Sequence, residues 1–400
     1  MGLFTEKGTV IITCPKRLSP FLEQEIKELG FQTEETFVTG VRINGSINDC
    51  IRLNLNLRCA SQVLYRIKQF TAVNADDIYK NLLDHPWEDV LEPDGYFSIT
   101  SNVNNPTINN SMFANLRVKD AIVDRMREKK GVRPSTGSEL KGAVINLFWK
   151  NENAELFIDT TGDSLGRHGY RKIPGQAPML EALAAATVYA TRWDLKSPFV
   201  NPMCGSGTLA IEAAMIATNR RPGLFRTNYA FMHLQGYDEA VYLKEDALLE
   251  EQIMDVPGLR IIATDYSSRA VENAKKNAIA AGVLNLIEFA VCDFAATEIP
   301  KEPGVFYVNP EYGERLGEIK ELELTYARIG DFMKQHCGGY YGYVFTGNME
   351  LAKKIGLKAK RRIEFYTSTI DCRLLEYELY AGTRNPKPET TNLPAAGPNL

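Results

Sequence analysis

Asn309-Pro-Glu-Tyr312 follows the apolar run Val305-Phe-Tyr-Val308, and these residues have the makings of a grip on a flat amine. The run reads as a buried parallel strand. Its end delivers a side-chain amide, a proline carbonyl and an aromatic ring to the carboxyl edge of a sheet, where open α/β sheets bind ligands. The Asn309 oxygen and the Pro310 carbonyl can accept both hydrogens of an exocyclic amine, while Tyr312 can stack on the ring that bears it. Such an amine is a poor nucleophile because its lone pair is delocalised. Two acceptors tilt the nitrogen toward tetrahedral geometry and stabilise the positive charge that grows as it attacks, by alignment and preorganised electrostatics.

A second constellation lies upstream. Phe199-Val-Asn-Pro-Met-Cys-Gly-Ser-Gly-Thr208 follows a strand and opens a helix. Gly205 and Gly207 let the backbone approach a ligand without a Cβ in the way, and Cys204 belongs to the same loop. The loop lacks the Lys-Ser/Thr of a triphosphate-binding turn. Asp265 ends the next strand, where a carboxylate can accept from both hydroxyls of a ribose. Asp293 follows the third strand, where it could hold an adenine amino group, with Phe294 beside it. Singly, each acid is as readily a helix cap. The ordered set, ending in Asn-Pro-Glu-Tyr and lacking a phosphate device, points to S-adenosylmethionine and hence to methyl transfer onto an amine.

The elements that must position these residues follow from periodicity. Strand 9–15 precedes a helix with Ser19 as cap, Pro20 in its first turn and Gly30 as stop. Alternation through Val38, Val41 and Ile43, a helix at 48–59 and a strand at 62–70 complete a small β-α-β-type unit. A second unit holds a helix at 76–84, a strand at Tyr96–Ile99, a long helix at 110–130 and strands at Ala143–Trp149 and Glu155–Asp159. Ala114, Val118, Ala121, Ile122 and Met126 form the long helix's apolar stripe. From about residue 175 strands and helices alternate as in a doubly wound parallel sheet. The strands fall at 197–201, 259–264, 286–291, 304–308 and 340–346, and the helices at 178–192, 206–218, 267–281 and 321–336. Arg362–Thr369 and Leu374–Tyr380 read as an antiparallel edge hairpin with Asp371-Cys372 between. Segment 219–257 is an insertion in the first crossover, and 383–400 reads as a disordered tail.

The 400 residues suffice for two or three domains. No stretch approaches the roughly 18 apolar residues of a membrane span, and the first residues, MGLFTEKGTV, lack a signal-peptide layout. Seven scattered cysteines without a Cys-x-x-Cys pair fit reduced thiols in a cytoplasmic protein. Four histidines (85, 168, 233 and 336) lack metal-ligand spacing, so no metal site is expected. A net charge of −4 means that any nucleic-acid surface is local. Candidates are Arg117–Arg133, then Arg220, Arg221 and Arg226, then Lys353–Arg362, which holds six basic residues and no acid.

The segments 201–214 (NPMCGSGTLAIEAA) and 309–317 (NPEYGERLG) resemble the cofactor and catalytic motifs of the THUMP-containing ribosomal RNA guanine-N2 methyltransferases. The segments 159–171 (DTTGDSLGRHGYR) and 177–186 (APMLEALAAA) resemble that family's domain junction and the helix after it. The likeness spans about residues 5–382. It implies a ferredoxin-like region over 1–60, a THUMP RNA-binding domain over 61–165 and a methyltransferase domain over 166–382. It also implies an RNA-capturing front half, and a target guanine in large-subunit ribosomal RNA or its precursor. No obligate protein partner and no membrane association are expected. Asn201 stands where the family usually has Asp, as a cofactor ligand whose amide can still accept and donate. Glu311 stands where the family usually has Pro.

Other readings keep parts of this chemistry. The same Asn-Pro-x-Tyr device serves adenine N6 in RNA or DNA and glutamine side chains in proteins. An RNA-binding ribosome-assembly factor with catalysis weakened at Asn201 and Glu311 is the rival from outside catalysis. A pyrimidine methylase would need a cysteine nucleophile, but Cys204 and Cys292 read as small packing residues.

Overall fold

The computed structural model describes residues 2–108, 110–173, 178–313, 319–367 and 370–381. The expected tail over 383–400 and the end of the Asn-Pro-Glu-Tyr segment beyond Gly313 lie outside them.

The front half is built on strands β1 (Gly8–Thr13), β2 (Thr33–Phe37), β3 (Gly40–Gly45), β4 (Gln62–Thr71), β5 (Tyr96–Asn104), β6 (Ser135–Thr136), β7 (Ala143–Lys150) and β8 (Asn153–Asp159). Its helices are α1 (Ser19–Glu28), α2 (Ile47–Asn56), α3 (Ala75–Leu83) and α4 (Ser111–Lys130). All eight strands form one sheet in the order β2-β3-β1-β4-β8-β7-β5-β6. β4 completes a β-α-β-β-α-β unit by pairing with β1, and its other edge pairs with β8. The division expected at residue 60 therefore falls just before a strand common to both pieces.

Alternation buries Val10 and Ile12 of β1 against Val41 and Ile43 of β3. Helix α2 opens on a reciprocal capping box, in which the Ser46 hydroxyl accepts from Asp49 N and the Asp49 carboxylate accepts from Ser46 N. In α1 the cap is Leu18, with no side-chain bond, and Ser19 is the first helical residue. Helix α4 buries the expected stripe and stops at Gly131, whose φ of 70° suits glycine.

The second sheet holds β9 (Phe199–Pro202), β10 (Ile261–Asp265), β11 (Ile287–Val291), β12 (Val305–Val308), β13 (Tyr341–Thr346), β14 (Arg361–Thr367) and β15 (Ile370–Glu378). Helices α5 (Glu181–Tyr189), α6 (Thr208–Ala217), α7 (Glu239–Glu251), α8 (Ser268–Ala280), α9 (Ile319–His336) and α10 (Met349–Lys354) accompany it. The order is β11-β10-β9-β12-β13-β15-β14. The first five run parallel, and β15 turns antiparallel to β13 and β14. Strand order reverses between β9 and β12, which makes their carboxyl ends the switch-point crevice of a doubly wound sheet. Asp371 and Cys372, expected in the hairpin's connection, lie within β15 opposite Tyr366 and Phe365. Helices α7 and α10 were not foreseen.

The insertion after α6 ties the two sheets together. Ala230 N and Phe231 N donate to the carbonyls of Thr161 and Thr160, and the Arg226 guanidinium donates to Thr161 O at 3.0 Å. Gly223 lies so close to α2 that a Cβ there would stand 2.5 Å from Leu55 O. Buried bonds reinforce the seam. His168 bridges the Glu212 carboxylate of α6 and the Arg58 carbonyl at 2.8 Å each, while Tyr170 OH donates to the same Glu212 oxygen. Farther along the seam, Arg17 pairs with Asp371 at 2.6 Å and Phe21 stacks on Phe365.

Candidate active site

At the end of β9 the chain must turn sharply into α6. Met203, Gly205 and Gly207 take φ values of 56°, 55° and 83° to do so. A Cβ on Gly207 would stand 2.9 Å from Ala274 of α8, so glycine there permits close helix packing. A Cβ on Gly205 would meet nothing within 4 Å, which leaves open space in front of that backbone. The two glycines therefore differ: one faces the core, the other a cleft. Cys204 N donates to Thr264 O and locks the loop to β10. Burial, then the Asp265 charge, holds the Cys204 thiol far above its ordinary range, which makes it a packing residue and no nucleophile.

Asp265 ends β10 nearly buried. Its two oxygens accept from Gly205 N at 3.0 Å and Ser267 N at 2.9 Å. One carboxylate thus braces the glycine loop and the start of α8, and its remaining lone pairs can still take hydroxyl hydrogens. Asn201 is 1% exposed. Its amide donates to Tyr307 O at 2.8 Å, which joins β9 to β12 across the switch point. The Asn201 Oδ1 is buried without a hydrogen-bond partner. A carboxylate could not make the bond to Tyr307 O, so asparagine plays a bridging part that aspartate could not take.

Asp293 caps the short turn Phe294–Ala296 through Ala295 N at 2.9 Å and pairs with Arg328 of α9 at 2.7 Å. An adenine amine would have to share this carboxylate with both. Phe294 is 5% exposed, packs edge-on against Phe332 and carries the Arg328 guanidinium on its ring. It is part of the smaller hydrophobic cluster under α9.

Across the crevice, β12 is wholly buried and releases Asn309 at its end. The Asn309 Oδ1 is buried and has no hydrogen-bond partner. An orphaned buried acceptor costs free energy unless something fills it, and beside a switch point the natural filler is a ligand's N–H. Pro310 is buried, Glu311 is exposed and Tyr312 is half-buried. Tyr312 is held from several sides. Its carbonyl accepts from Asn348 Nδ2 at 3.3 Å, and its side chain bonds to the Cys372 thiol. Its ring lies over Gly347, where a Cβ would stand 3.2 Å from Cδ2 and Cε2. Asn348 also caps α10 by accepting from Glu350 N and Leu351 N, each at 3.1 Å. Gly347 and Asn348 were missed from sequence. The available signal was a Gly-Asn pair following a strand and capping a helix, the same layout that marked Asp293.

The fold thus brings Asn201, Gly205 and Asp265 to one side of the crevice, with Cys204 and Gly207 of the same loop turned to packing rather than to a ligand, and Asn309, Pro310 and Tyr312 on the other side. The basic clusters are largely committed elsewhere. Lys353, Lys354, Lys360 and Arg361 pair with Glu350, Glu323, Glu378 and Glu376. Arg117 and Arg125 pair with Asp76 and Glu88, and Arg226 serves the domain seam.

Comparison with known proteins bears on the fold and the family. Residues 168–376 match the family described as RMKL-like, methyltransferase domain. Residues 9–64 match the RlmL ferredoxin-like domain and 72–159 the THUMP domain. Ribosomal RNA large subunit methyltransferase K/L of Syntrophotalea carbinolica is 37% identical over 382 residues, covering 92% of this chain and 53% of that protein. The slr0064 protein of Synechocystis sp., whose name offers it as an RNA methyltransferase, is 33% identical over 92% of this chain and 96% of its own. The chain spans about half the length of the K/L relatives. Among solved structures, SMU.472 complexed with SAH superposes with a TM-score of 0.85 at 26% identity, covering 95% of this chain and 100% of that one. A predicted N6-adenine-specific DNA methylase from Listeria monocytogenes gives 0.85 at 30% identity, over 94% of this chain and 97% of that one. The chain belongs to the RMKL-like methyltransferase family, with RlmL-type ferredoxin-like and THUMP domains ahead of its methyltransferase domain.

Proposed function

We propose that this protein methylates the exocyclic N2 of a guanine in large-subunit ribosomal RNA, with S-adenosylmethionine as donor. The observation that carries the reading is the buried, unpartnered Asn309 Oδ1 at the end of β12, next to the Pro310 carbonyl and across the crevice from the glycine loop. The donor supplies an electrophilic methyl on sulfur. Gly205 leaves room for it, Asp265 accepts from its ribose, and Asn201 offers an unused oxygen at the cleft. Asp293 and Phe294 take the adenine end, with Asp293 sharing its carboxylate with Arg328.

On the acceptor side, Asn309 and Pro310 each take one amine hydrogen and turn the nitrogen lone pair toward the methyl. The N–C bond forms as the C–S bond breaks, a neutral thioether leaves with the bonding pair, and the cationic nitrogen gives up one proton to water. The two oxygens stabilise that charge as it appears. Tyr312 steadies the ring, and stacking worth about 1–3 kcal/mol offsets part of the cost of drawing a base from its stack.

The front half, a ferredoxin-like region over 1–60 and a THUMP domain over 61–165, captures the RNA and presents it to the domain over 166–382. Lys130, Arg133, Lys358 and Arg362, which pair with no described carboxylate, contribute phosphate contacts. Seven free cysteines favour a cytoplasmic setting. The name of the Listeria relative favours adenine N6 instead, the second reading. Nucleoside mass spectrometry of ribosomal RNA from cells with and without the protein separates them. Loss of N2-methylguanosine at one position is expected, and loss of N6-methyladenosine would replace the guanine reading.

A further inference from the structure

We infer that Glu311 is the specificity-determining residue of this site and selects guanine through its N1–H, an inference that rests on the proposed function. Glu311 sits between the two groups assigned to the base, Pro310 and Tyr312. It is exposed, and among the described residues it has neither a hydrogen-bond nor an ion-pair partner. Its described neighbours differ from it: Pro310 is buried, and Tyr312 is fixed by Asn348, Cys372 and Gly347. Glu311 stands two positions beyond Asn309, at the same carboxyl end of β12, so its unpaired carboxylate belongs to the edge of the crevice that the orphaned Asn309 oxygen borders.

The chemistry of the base edge then decides. Guanine carries N2–H2 and N1–H as adjacent donors. If Asn309 and Pro310 take the two amine hydrogens, the next group along the edge is N1–H, a donor that a carboxylate accepts well. Adenine presents a bare N1 acceptor beside its amine, which a carboxylate repels. Accepting from N1–H also pushes electron density into the ring and toward N2, so the same contact favours attack. No proton needs to leave N1 and no further reactant is required.

The test uses the full chain. An unmodified large-subunit ribosomal RNA transcript and labelled S-adenosylmethionine first locate the methylated nucleotide. Two synthetic RNAs then carry guanosine or 2-aminopurine riboside there; the latter keeps the C2 amine but lacks N1–H. Wild type is expected to prefer guanosine by roughly 10- to 100-fold in kcat/KM, the value of one hydrogen bond to a charged group. Glu311→Gln, whose amide can donate to a bare N1, should bring the ratio within about 3-fold of one, and Glu311→Asp should keep the preference at a lower rate. Donor affinity should stay unchanged in both, which verifies folding. An unaltered ratio in Glu311→Gln, or no preference in wild type, overturns the assignment alone. Absence of N2-methylguanosine in the first step overturns the site reading itself.

Discussion

Gly347→Ala tests whether the Tyr312 ring is a working part of the site. The new Cβ would stand 2.7 Å from Ile370 Cγ2 and 3.2 Å from two ring carbons of Tyr312. Carbon atoms pack comfortably at about 3.5–4.0 Å, so the ring must retreat by a few tenths of an ångström or more. The Tyr312 carbonyl is held by Asn348, so the side chain absorbs the displacement. Overpacking of this kind costs about 1–3 kcal/mol of stability. Losing a good part of a stacking contact of similar size lowers kcat/KM for RNA about 10-fold. Donor affinity should hold, because the glycine loop and Asp265 lie across the switch point. Calorimetric titration of the donor, thermal unfolding and steady-state methylation separate the three effects. A double-mutant cycle with Tyr312→Ala completes the test, since residues in contact couple and independent ones add. If Gly347→Ala slows turnover as much without the Tyr312 ring as with it, the ring is not the route and the reasoning fails.

Asn309→Ala should lower kcat by about 10²–10³, the usual effect of removing one preorganised transition-state hydrogen bond, while calorimetry shows donor affinity within 2-fold of wild type. Asn201→Asp, although chemically slight, should destabilise the fold by about 1–3 kcal/mol in denaturant titration, because it sets a buried carboxylate against the Tyr307 carbonyl and removes the donor that bridges β9 to β12. Burial draws the His168 pKa down, but the Glu212 charge and the hydrogen bonds to Glu212 and the Arg58 carbonyl outweigh it, so the net shift is upward from 6.5. Its contribution to stability is therefore complete below about pH 6.5 and lost as pH climbs through the raised value. Unfolding followed against pH should show this decline in wild type and a flatter profile in His168→Gln. RNA affinity should fall steeply with salt, and Arg362→Ala should reduce the slope of the log–log plot, whereas Lys354→Ala, whose charge is engaged by Glu323, should change it little.

The doubly wound sheet was legible because β9, β10 and β12 are short apolar runs that end in a turn signal or an acid, and runs of this kind fill the central strands of a parallel sheet, which are covered on both faces. The glycine loop and Asn309-Pro310 were legible for the same reason, since strand ends in this fold are where polar groups must surface. Local chemistry also told against some expectations. Ser19 looked like a cap, yet the chain enters α1 one residue earlier at Leu18. Runs of lysine and arginine looked like open cationic faces, yet long-range acids such as Glu376 and Glu88 neutralise several of them.

What the residues by themselves determined was the order of the elements and the kinds of group each one carries to an edge, because periodicity, turn chemistry and capping act over a few positions. Tertiary structure alone decided how those groups are shared. β4 serves both halves of the front sheet, and the insertion after α6 serves the seam between domains. Gly347 and Asn348, in the turn after β13, and Cys372 of β15 close around Tyr312 from positions that follow it by 35 to 60 residues. Contacts of that span depend on which strand lies next to which, and strand adjacency is settled only when the whole sheet forms.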